Sequence, residues 1–474
     1  MMHQPRKIAI VGGGLSGLAL AFRLRQTTDA AISLFEGRPR FGGMIGTIED
    51  RGFRVETGPN GIFSNKPSTI NLCHDVGLGS QLLEASPAAQ KNRYLYLNER
   101  LQKLPGSLLS FLFSPLLSVG AKWRLLTEKY RRSPLPLPED ETVMQFAERR
   151  AGKEIASIFA RAMVTGIQAG DPEKLSLPAN FPRLAQYEKE HGSVLRGVSA
   201  AGKLRRKQAK ESGNALKRPA TWSFVGGLQV MTDQITSQLQ QSQQVTLQVD
   251  APIQVLRKAS NSPTWEVGVD PTNTESFDVV ILTNPAYVQA DLLARVDETL
   301  ATEVAAIPYN RIAVVAMGYR EADVRTAPHD GFGFIVPHAP QTILGAQWCS
   351  SIFPERAPHG CVLWRALIGG AGQTEMLDRS DDELSVFAHR EVGRMMGFSA
   401  EPVFSRVVRW ERAIPQYHVG HLARVARIEQ QLQHHLGLFL GGNAYHGIAM
   451  NDCTEQADLL AAKIVSYLNL LAKS

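Results

Sequence analysis

The chain has 474 residues, too many for one ordinary domain, so two or three are expected. Hydrophobic residues at 44% and charged residues at 20% exclude a disordered or fibrous chain and predict a large buried core. A formal charge of +6 argues against a nucleic-acid binder, no apolar run reaches the ~18 residues that cross a bilayer, and the four scattered cysteines argue against a metal or redox pair.

The segment MMHQPRK runs straight into an apolar strand and leaves no room for a secretory signal, so a cytoplasmic setting is expected. Ile8, Ala9, Ile10 and Val11 read as a buried strand. Gly12, Gly14 and Gly17 give G-x-G-x-x-G, a helical pattern follows, and Glu36 ends the next apolar strand 24 positions after Gly12 (36 − 12). Strand, glycines, helix and acid in that order predict a βαβ dinucleotide site. The helix N-terminus offers free N–H groups to phosphates. An acid at Glu36 suits two ribose hydroxyls, which favours FAD or NAD over NADP.

Gly42 and Gly43 form a second glycine pair, and Phe53, Val55 and Thr57 alternate as in a strand. Gly58-Pro59-Asn60-Gly61 is a turn. Residues 66–219 read as largely helical, with helices expected over 68–76, 142–150 and 154–162. Between Ser107 and Lys129, Leu108, Leu109, Phe111, Leu112, Phe113, Leu116 and Leu117 crowd together before Trp123, with Lys122, Arg124 and Lys129 nearby. That composition suits either a core helix hairpin or a patch at a membrane interface. Residues 203–218 carry seven Lys/Arg and one Glu and read as an exposed loop.

Beyond 220 the pattern alternates again. A helix is expected to end near Gln240, and strands are expected over 245–249, 253–256, 265–269 and 278–286. Four more are expected at 311–319, 331–337, 343–350 and 361–370, spaced as antiparallel hairpins. Residues 381–396 read as an amphipathic helix, and 437–468 as a strand, a glycine-rich turn and a long closing helix.

With GGGLSGL, EGRPRFGG, the GPN turn, SFVGGLQVMTDQI, DVVILTNPA and the GG…MNDC block in place, the chain resembles the flavin-dependent amine oxidase superfamily. Within it the resemblance is to the protoporphyrinogen oxidase family, through PAAQKNRYLYLNERLQKLP, GFGFIVP, AIPQYHVGH and GGNAYHGIAMNDCTEQ. The implied fold is α/β, α+β overall. It comprises a discontinuous Rossmann-like FAD domain (1–65, 220–290, 405–474), a mixed or antiparallel substrate domain (66–90, 291–404) and a helical, membrane-associating domain (91–219).

The resemblance implies non-covalent FAD, with Cys453 a packing residue. It places Gly12, Gly13, Gly14, Leu15, Ser16 and Gly17 round the pyrophosphate, with Glu36 and Gly37 at the ribose. Gly43, Met44 and the turn Gly58, Pro59, Asn60, Gly61 face the ribityl and ring, and Ile253 faces the adenine. Trp410 stands beside the flavin, and Ile448, Ala449 and Met450 present a helix start to its N1/O2 edge. Arg93 matches a carboxylate-binding arginine, and Phe332, Ile335, Leu367 and Ile414 match positions lining an apolar pocket.

The implied reaction is the six-electron oxidation of protoporphyrinogen IX to protoporphyrin IX. Hydride passes to flavin N5, O2 accepts the electrons and H2O2 leaves. No residue announces itself as a catalytic base; His418, His421 and His446 read as structural. Coproporphyrinogen III as substrate, an FAD-dependent amine oxidase and a non-catalytic FAD-binding escort are the alternatives. Peripheral contact with the cytoplasmic membrane face and a homodimer are left open, and no nucleic-acid or metal partner is expected.

Overall fold

A computed structural model describes residues 5–131, 136–211, 219–260, 262–337, 342–372 and 374–472. At its centre lies a five-stranded parallel sheet: β1 (Lys7–Val11), β2 (Ala31–Phe35), β3 (Val245–Gln248), β4 (Val279–Leu282) and β5 (Leu438–Leu440), in the order β3-β2-β1-β4-β5. Both faces are covered, so the strands read as unbroken apolar runs rather than alternating ones. Ile8 and Ile10 point into a core shared with Phe22, Ile235 and Ile464. Those residues come from α1 (Leu15–Thr27), α2 (Gln229–Gln240) and α3 (Met450–Leu471). Ala9 and Val11 point the other way, into a core with Trp265, Phe277 and Val280. A three-stranded antiparallel sheet (Val255–Lys258, Trp265–Asp270, Asn273–Phe277) and the helices Ala286–Leu293 and Glu298–Ala305 close that side.

A seven-stranded sheet forms the second layer. Its order is Phe404–Trp410, Ile312–Arg320, Cys361–Gly369, Gly345–Gln347, Gly333–Ile335, Arg93–Leu97, Arg100–Lys103. Every pairing is antiparallel except Gly333–Ile335 with Arg93–Leu97. The helix Asp381–Met396, started by a reciprocal Ser380–Glu383 cap, packs Phe387 and Val392 against Trp364, Tyr319 and Trp348 on one face. The opposite face is the one that matters for the site.

Several expectations are corrected. Arg93–Leu97 and Arg100–Lys103 fall in a stretch expected to be helical, yet they extend the seven-stranded sheet. Phe404–Trp410, for which no strand was expected, forms the edge of the same sheet beside Ile312–Arg320. The basic stretch expected as a loop is, through Glu211, the end of the helix Val194–Glu211; residues 212–218 lie outside the described residues. The strand expected at 253–256 is Val255–Lys258, leaving Ile253 just ahead of it. The helix expected over 154–162 is broken by a π-turn at Ala156–Ala160.

The crowded stretch after Ser107 forms two short helices, Leu108–Phe113 and Val119–Leu126, each started by a serine side chain, Ser107 and Ser118. Leu116 and Leu117 are buried between neighbours, as a core hairpin would require. Leu109 (70% exposed), Phe113 (87%), Val119 (82%) and Trp123 (69%) are not. No helix among the described residues is long and apolar enough to cross a membrane.

Candidate active site

The glycine turn after β1 is built from the backbone outward. Gly12 N–H donates to Phe35 O at 2.8 Å, holding the turn against the end of β2. A side chain on Gly17 would put its Cβ 2.0 Å from Gly12 O, so only glycine lets α1 start this close to the strand. Gly14 and Gly43 face each other with nothing between them but backbone: a Cβ on Gly43 would sit 3.1 Å from Gly14 Cα. The second glycine pair therefore leans on the first, with Gly42 N–H donating to Gly13 O at 2.8 Å. The cap residue of α1 is Gly14, with no side chain to satisfy the first-turn N–H groups, which are left for an anion.

Glu36 is buried at the tip of β2. Its Oε2 accepts from Gly13 N–H at 2.8 Å and its Oε1 from Arg38 N–H at 2.9 Å, so it fixes the turn while each oxygen keeps a lone pair for a hydroxyl. Gly37 packs on Pro252, and the adjoining Ile253 peptide makes no hydrogen bond among the described residues. An uncapped helix start, a buried carboxylate and a bare peptide along one edge fit the phosphates, ribose and base of an adenine dinucleotide.

The Gly58–Gly61 turn lies farther along the same cleft. A Cβ on Gly58 would come within 2.4 Å of Met44 O, and one on Gly61 within 2.5 Å of Thr221, so both are packing glycines. Trp410 Nε1 donates to Thr57 O at 2.8 Å, and Arg38 stacks on the Trp410 ring. The start of α3 is tied to the strand just after this turn, Ile62–Phe63, through Asn451, whose Nδ2 donates to Phe63 O. Tyr417 joins the IPQY block to the last glycine turn: its hydroxyl donates to Asn443 O at 2.5 Å and accepts from Gly447 N–H at 2.9 Å. That sets the approach to Ile448, Ala449 and Met450. His421 stacks on Tyr417 at 4.0 Å and donates from Nε2 to Tyr445 O. Burial pushes its pKa down to about 4, which makes it a neutral structural imidazole.

Strand register assembles the substrate side. On the other face of the seven-stranded sheet, Leu95, Ile335, Gly345, Leu367, Val314 and Val408 stand in one row across six strands. Trp410 pairs with Ile312 at the end nearest the glycine turns. Above this floor sits the helix Arg161–Gln168, where a Cβ on Gly166 would touch Ile335 at 2.6 Å. Met44, Leu344, Trp410 and Ile414 converge on Ala169, Ile312 and Ala413. Asn310 locks that corner: its Oδ1 accepts from Ile414 N–H at 3.0 Å, and its Nδ2 donates to Gln168 O and Ala169 O.

Arg93, Ile335, Leu367, Ile414 and Trp410 are thus brought together. Phe332 is not on the floor. It packs toward Ile352 and Phe353 and stands at the rim, where the Arg93 guanidinium lies 5.0 Å from its ring centre. Arg93 is exposed and has no carboxylate partner among the described residues. The Leu15 side chain belongs to the core behind the sheet, so only its peptide faces the cleft.

Two residues that matter here escape a reading of single motifs. Arg365, 2% exposed, donates to Gly58 O at 2.8 Å and Asn60 Oδ1 at 3.3 Å. Nearby, Glu56 is paired with Arg356 at 3.1 Å, which leaves Arg365 without an ion-pair partner among the described residues. Burial lowers the pKa of Arg365, with Glu56 opposing the shift. Gln347 pairs across from Arg365, and its Oε1 is buried without a donor. Asn60 Nδ2 and Asn284 Oδ1, on the turns that line the cleft, are likewise buried and unbonded among the described residues. All four cysteines are free thiols; Cys453, near Ser16, is pushed up to about 11 by burial.

Comparison with known proteins bears on the whole chain. Residues 15–465 match the family model for flavin containing amine oxidoreductase. The chain is 27% identical to the coproporphyrinogen III oxidase of Bacillus subtilis (strain 168), covering 99% of this chain and 100% of that one. It is 31% identical to protoporphyrinogen oxidase 1, chloroplastic, of Arabidopsis thaliana, covering 98% and 88%. A solved structure from Exiguobacterium sp. 255-15, provisionally named a protoporphyrinogen oxidase, superposes with a TM-score of 0.82 at 23% identity, over 98% of this chain and 99% of that one.

Proposed function

Because this chain belongs to the family of flavin containing amine oxidoreductases, we propose that it oxidises a porphyrinogen to the porphyrin in haem biosynthesis, with protoporphyrinogen IX as substrate and O2 as acceptor. The chain is an oxidoreductase and FAD is its cofactor. When bound, FAD would supply two-electron (hydride) acceptor chemistry, with O2 as the final acceptor and H2O2 as its product, in three rounds per porphyrin. The α1 start and Glu36 would hold its dinucleotide end, and the Gly58–Gly61 turn, Trp410 and the α3 start its ring end. Retention without a covalent link agrees with a half-buried Cys453 whose thiol is pushed up to about 11.

One observation supports this substrate most. Register sets an apolar row (Ile335, Leu367, Val314) on one sheet face, with the guanidinium of Arg93 at its rim and Trp410 at its cofactor end. A broad apolar floor suits a macrocycle, and a rim guanidinium suits a propionate, which it grips in bidentate fashion. The helix Arg161–Gln168 excludes water from above, and the Asn310 network keeps Ile414 in place. The rows of this floor contain no lysine, which weakens the amine reading.

Coproporphyrinogen III is the second substrate to weigh, because the Bacillus subtilis relative that matches over its full length carries that name. It has four propionates. On this floor Arg365 is committed to Gly58 and Asn60, which leaves Arg93 for a carboxylate. The deciding assay uses the yellow holoprotein with protoporphyrinogen IX, coproporphyrinogen III and simple amines, with peroxide detection. Turnover of protoporphyrinogen with the higher kcat/KM is expected; no turnover of either porphyrinogen overturns the proposal.

Peripheral membrane contact belongs to the same proposal. Leu109, Phe113, Val119 and Trp123 are exposed on the two short helices, with Lys122, Arg124 and Lys129 beside them. Apolar and aromatic side chains flanked by cations are the composition of an interfacial anchor.

A further inference from the structure

The positive charge of the chain is concentrated in one element. The helix Val194–Glu211 carries six Lys/Arg and one Glu, a net +5 (6 − 1) of the chain's formal +6. Lys203, Arg206, Lys207 and Lys210 stand at i, i+3, i+4 and i+7, and Arg196 lies two turns before Lys203, so the five share one helix face. All five are exposed. The helix leans on its neighbour elsewhere, at Gly197, where a Cβ would sit 2.3 Å from the Tyr187 side chain. Lys207 meets Glu211 at 3.8 Å. Lys203 with Lys207, and Arg206 with Lys210, are like charges four residues apart and repel each other. A stripe that costs the helix stability on its own suits an anionic surface that neutralises it.

The root of this helix is fixed to the two short helices after Ser107. Glu128, two residues past the helix Val119–Leu126, is buried. It accepts from Ser193 Oγ at 2.5 Å, from Val194 N–H at 3.1 Å and from Leu195 N–H at 3.1 Å. That carboxylate satisfies the first turn and suits the helix dipole, as the cations suit its far end. The segment that exposes Trp123 and Tyr130 therefore carries the base of the basic stripe.

We propose that this helix face binds anionic phospholipid, adding a charge-selective contact to the apolar one made by the two short helices. The inference rests on the membrane reading of those helices. Lipid phosphates suit the stripe better than a nucleic acid does, because the helix has no aromatic side chain on which a base could stack and because the apolar patch adjoins its root. Each cation close to an anionic bilayer strengthens binding about fivefold, and the attraction fades within a Debye length, about 10 Å at 0.1 M salt.

The test is co-sedimentation of the full-length holoprotein with two kinds of vesicle, phosphatidylglycerol mixed into phosphatidylcholine and phosphatidylcholine alone, at low and high salt. The wild type binds the anionic vesicles more tightly, and high salt removes the difference. Combining Lys203→Gln, Arg206→Gln, Lys207→Gln and Lys210→Gln keeps helix propensity. It lowers affinity for the anionic vesicles roughly a hundredfold at low salt and leaves affinity for the neutral ones unchanged. Phe113→Ser with Trp123→Ser does the reverse, lowering binding to both vesicles while the preference for the anionic one persists. FAD content and turnover in detergent stay at wild-type values in both variants. Equal binding of the wild type to the two vesicles overturns the inference, and so does an anionic preference that survives loss of the four cations. Tighter binding of the wild type to duplex RNA than to the anionic vesicles would assign the stripe to a nucleic acid and overturn it as well. A wild type that binds neither vesicle is a different result, and it defeats the membrane reading itself.

Discussion

At Arg365 a guanidinium is buried with no carboxylate in ion-pair reach among the described residues, and its neighbours explain why it is tolerated. Burying an ion costs several kcal/mol. Each hydrogen bond from a charged donor returns about 1.5–3 kcal/mol, and Gly58 O and Asn60 Oδ1 accept two of them. The two sums nearly cancel, so the arginine does little for stability and much for the shape of the turn. Arg365→Met should leave the unfolding midpoint of the apoprotein within a few degrees of wild type while weakening FAD roughly tenfold or more, read by flavin fluorescence titration. Equal losses of apoprotein stability and FAD affinity would make it an ordinary core residue. Arg365 is legible in CVLWRALIGG as a charge in the middle of a buried strand. Its partner Asn60 is 305 positions away, so no local pattern reveals what the charge is for. Gln347 is hidden for the same reason, since Arg365 and Gly333 become its neighbours only through register.

Among the elements, the parallel strands and the capped helices are legible because each announces itself locally. β1, β2 and β4 are apolar runs with turn residues after them, and Asp381–Met396 has its Ser380–Glu383 cap. The Arg93–Lys103 hairpin shows what is not legible. Its turn places Asn98 (φ 53°) and Glu99 (φ 60°) in the left-handed region, where glycine is the usual second residue. With glutamate there, the turn gives no signal, and the surrounding helical pattern prevails. The two short helices after Ser107 are a different case, since their composition allowed two roles and burial divides them. Leu116 and Leu117 face inward, whereas Phe113 and Trp123 face out. Removing a large apolar side chain from an interface costs about 1.5–3 kcal/mol. Phe113→Ser with Trp123→Ser should therefore lower partitioning onto anionic phospholipid vesicles at least tenfold in co-sedimentation, with turnover in detergent unchanged. Undiminished binding of the double variant would remove these helices as the anchor.

For the whole molecule, the cofactor cleft draws on segments that do not otherwise adjoin: the β1 turn, the Gly58–Gly61 turn, the Ile253 loop and the α3 start. A ligand that touches all of them stabilises the native state by mass action, about 4 kcal/mol at a free concentration a thousand times Kd. Stripping FAD should lower the thermal midpoint, and adding it back should raise the midpoint with concentration. Acid precipitation should leave yellow flavin in the supernatant; colour remaining in the pellet would indicate a covalent bond and contradict the assignment of Cys453 as a free thiol.

The order of the parallel sheet also carries a timetable. β5 pairs with β4 in register from Val280–Leu438 to Leu282–Leu440, and α3 follows immediately. A chain leaving the ribosome at about 5–20 residues per second has made β1, α1 and the glycine turn long before it makes the strand and helix that complete the cleft. Until then the apolar faces of β1 and β4 lack part of their cover. The nascent protein must stay unaggregated until β5 and α3 have emerged, because only then is the cleft that holds the flavin complete.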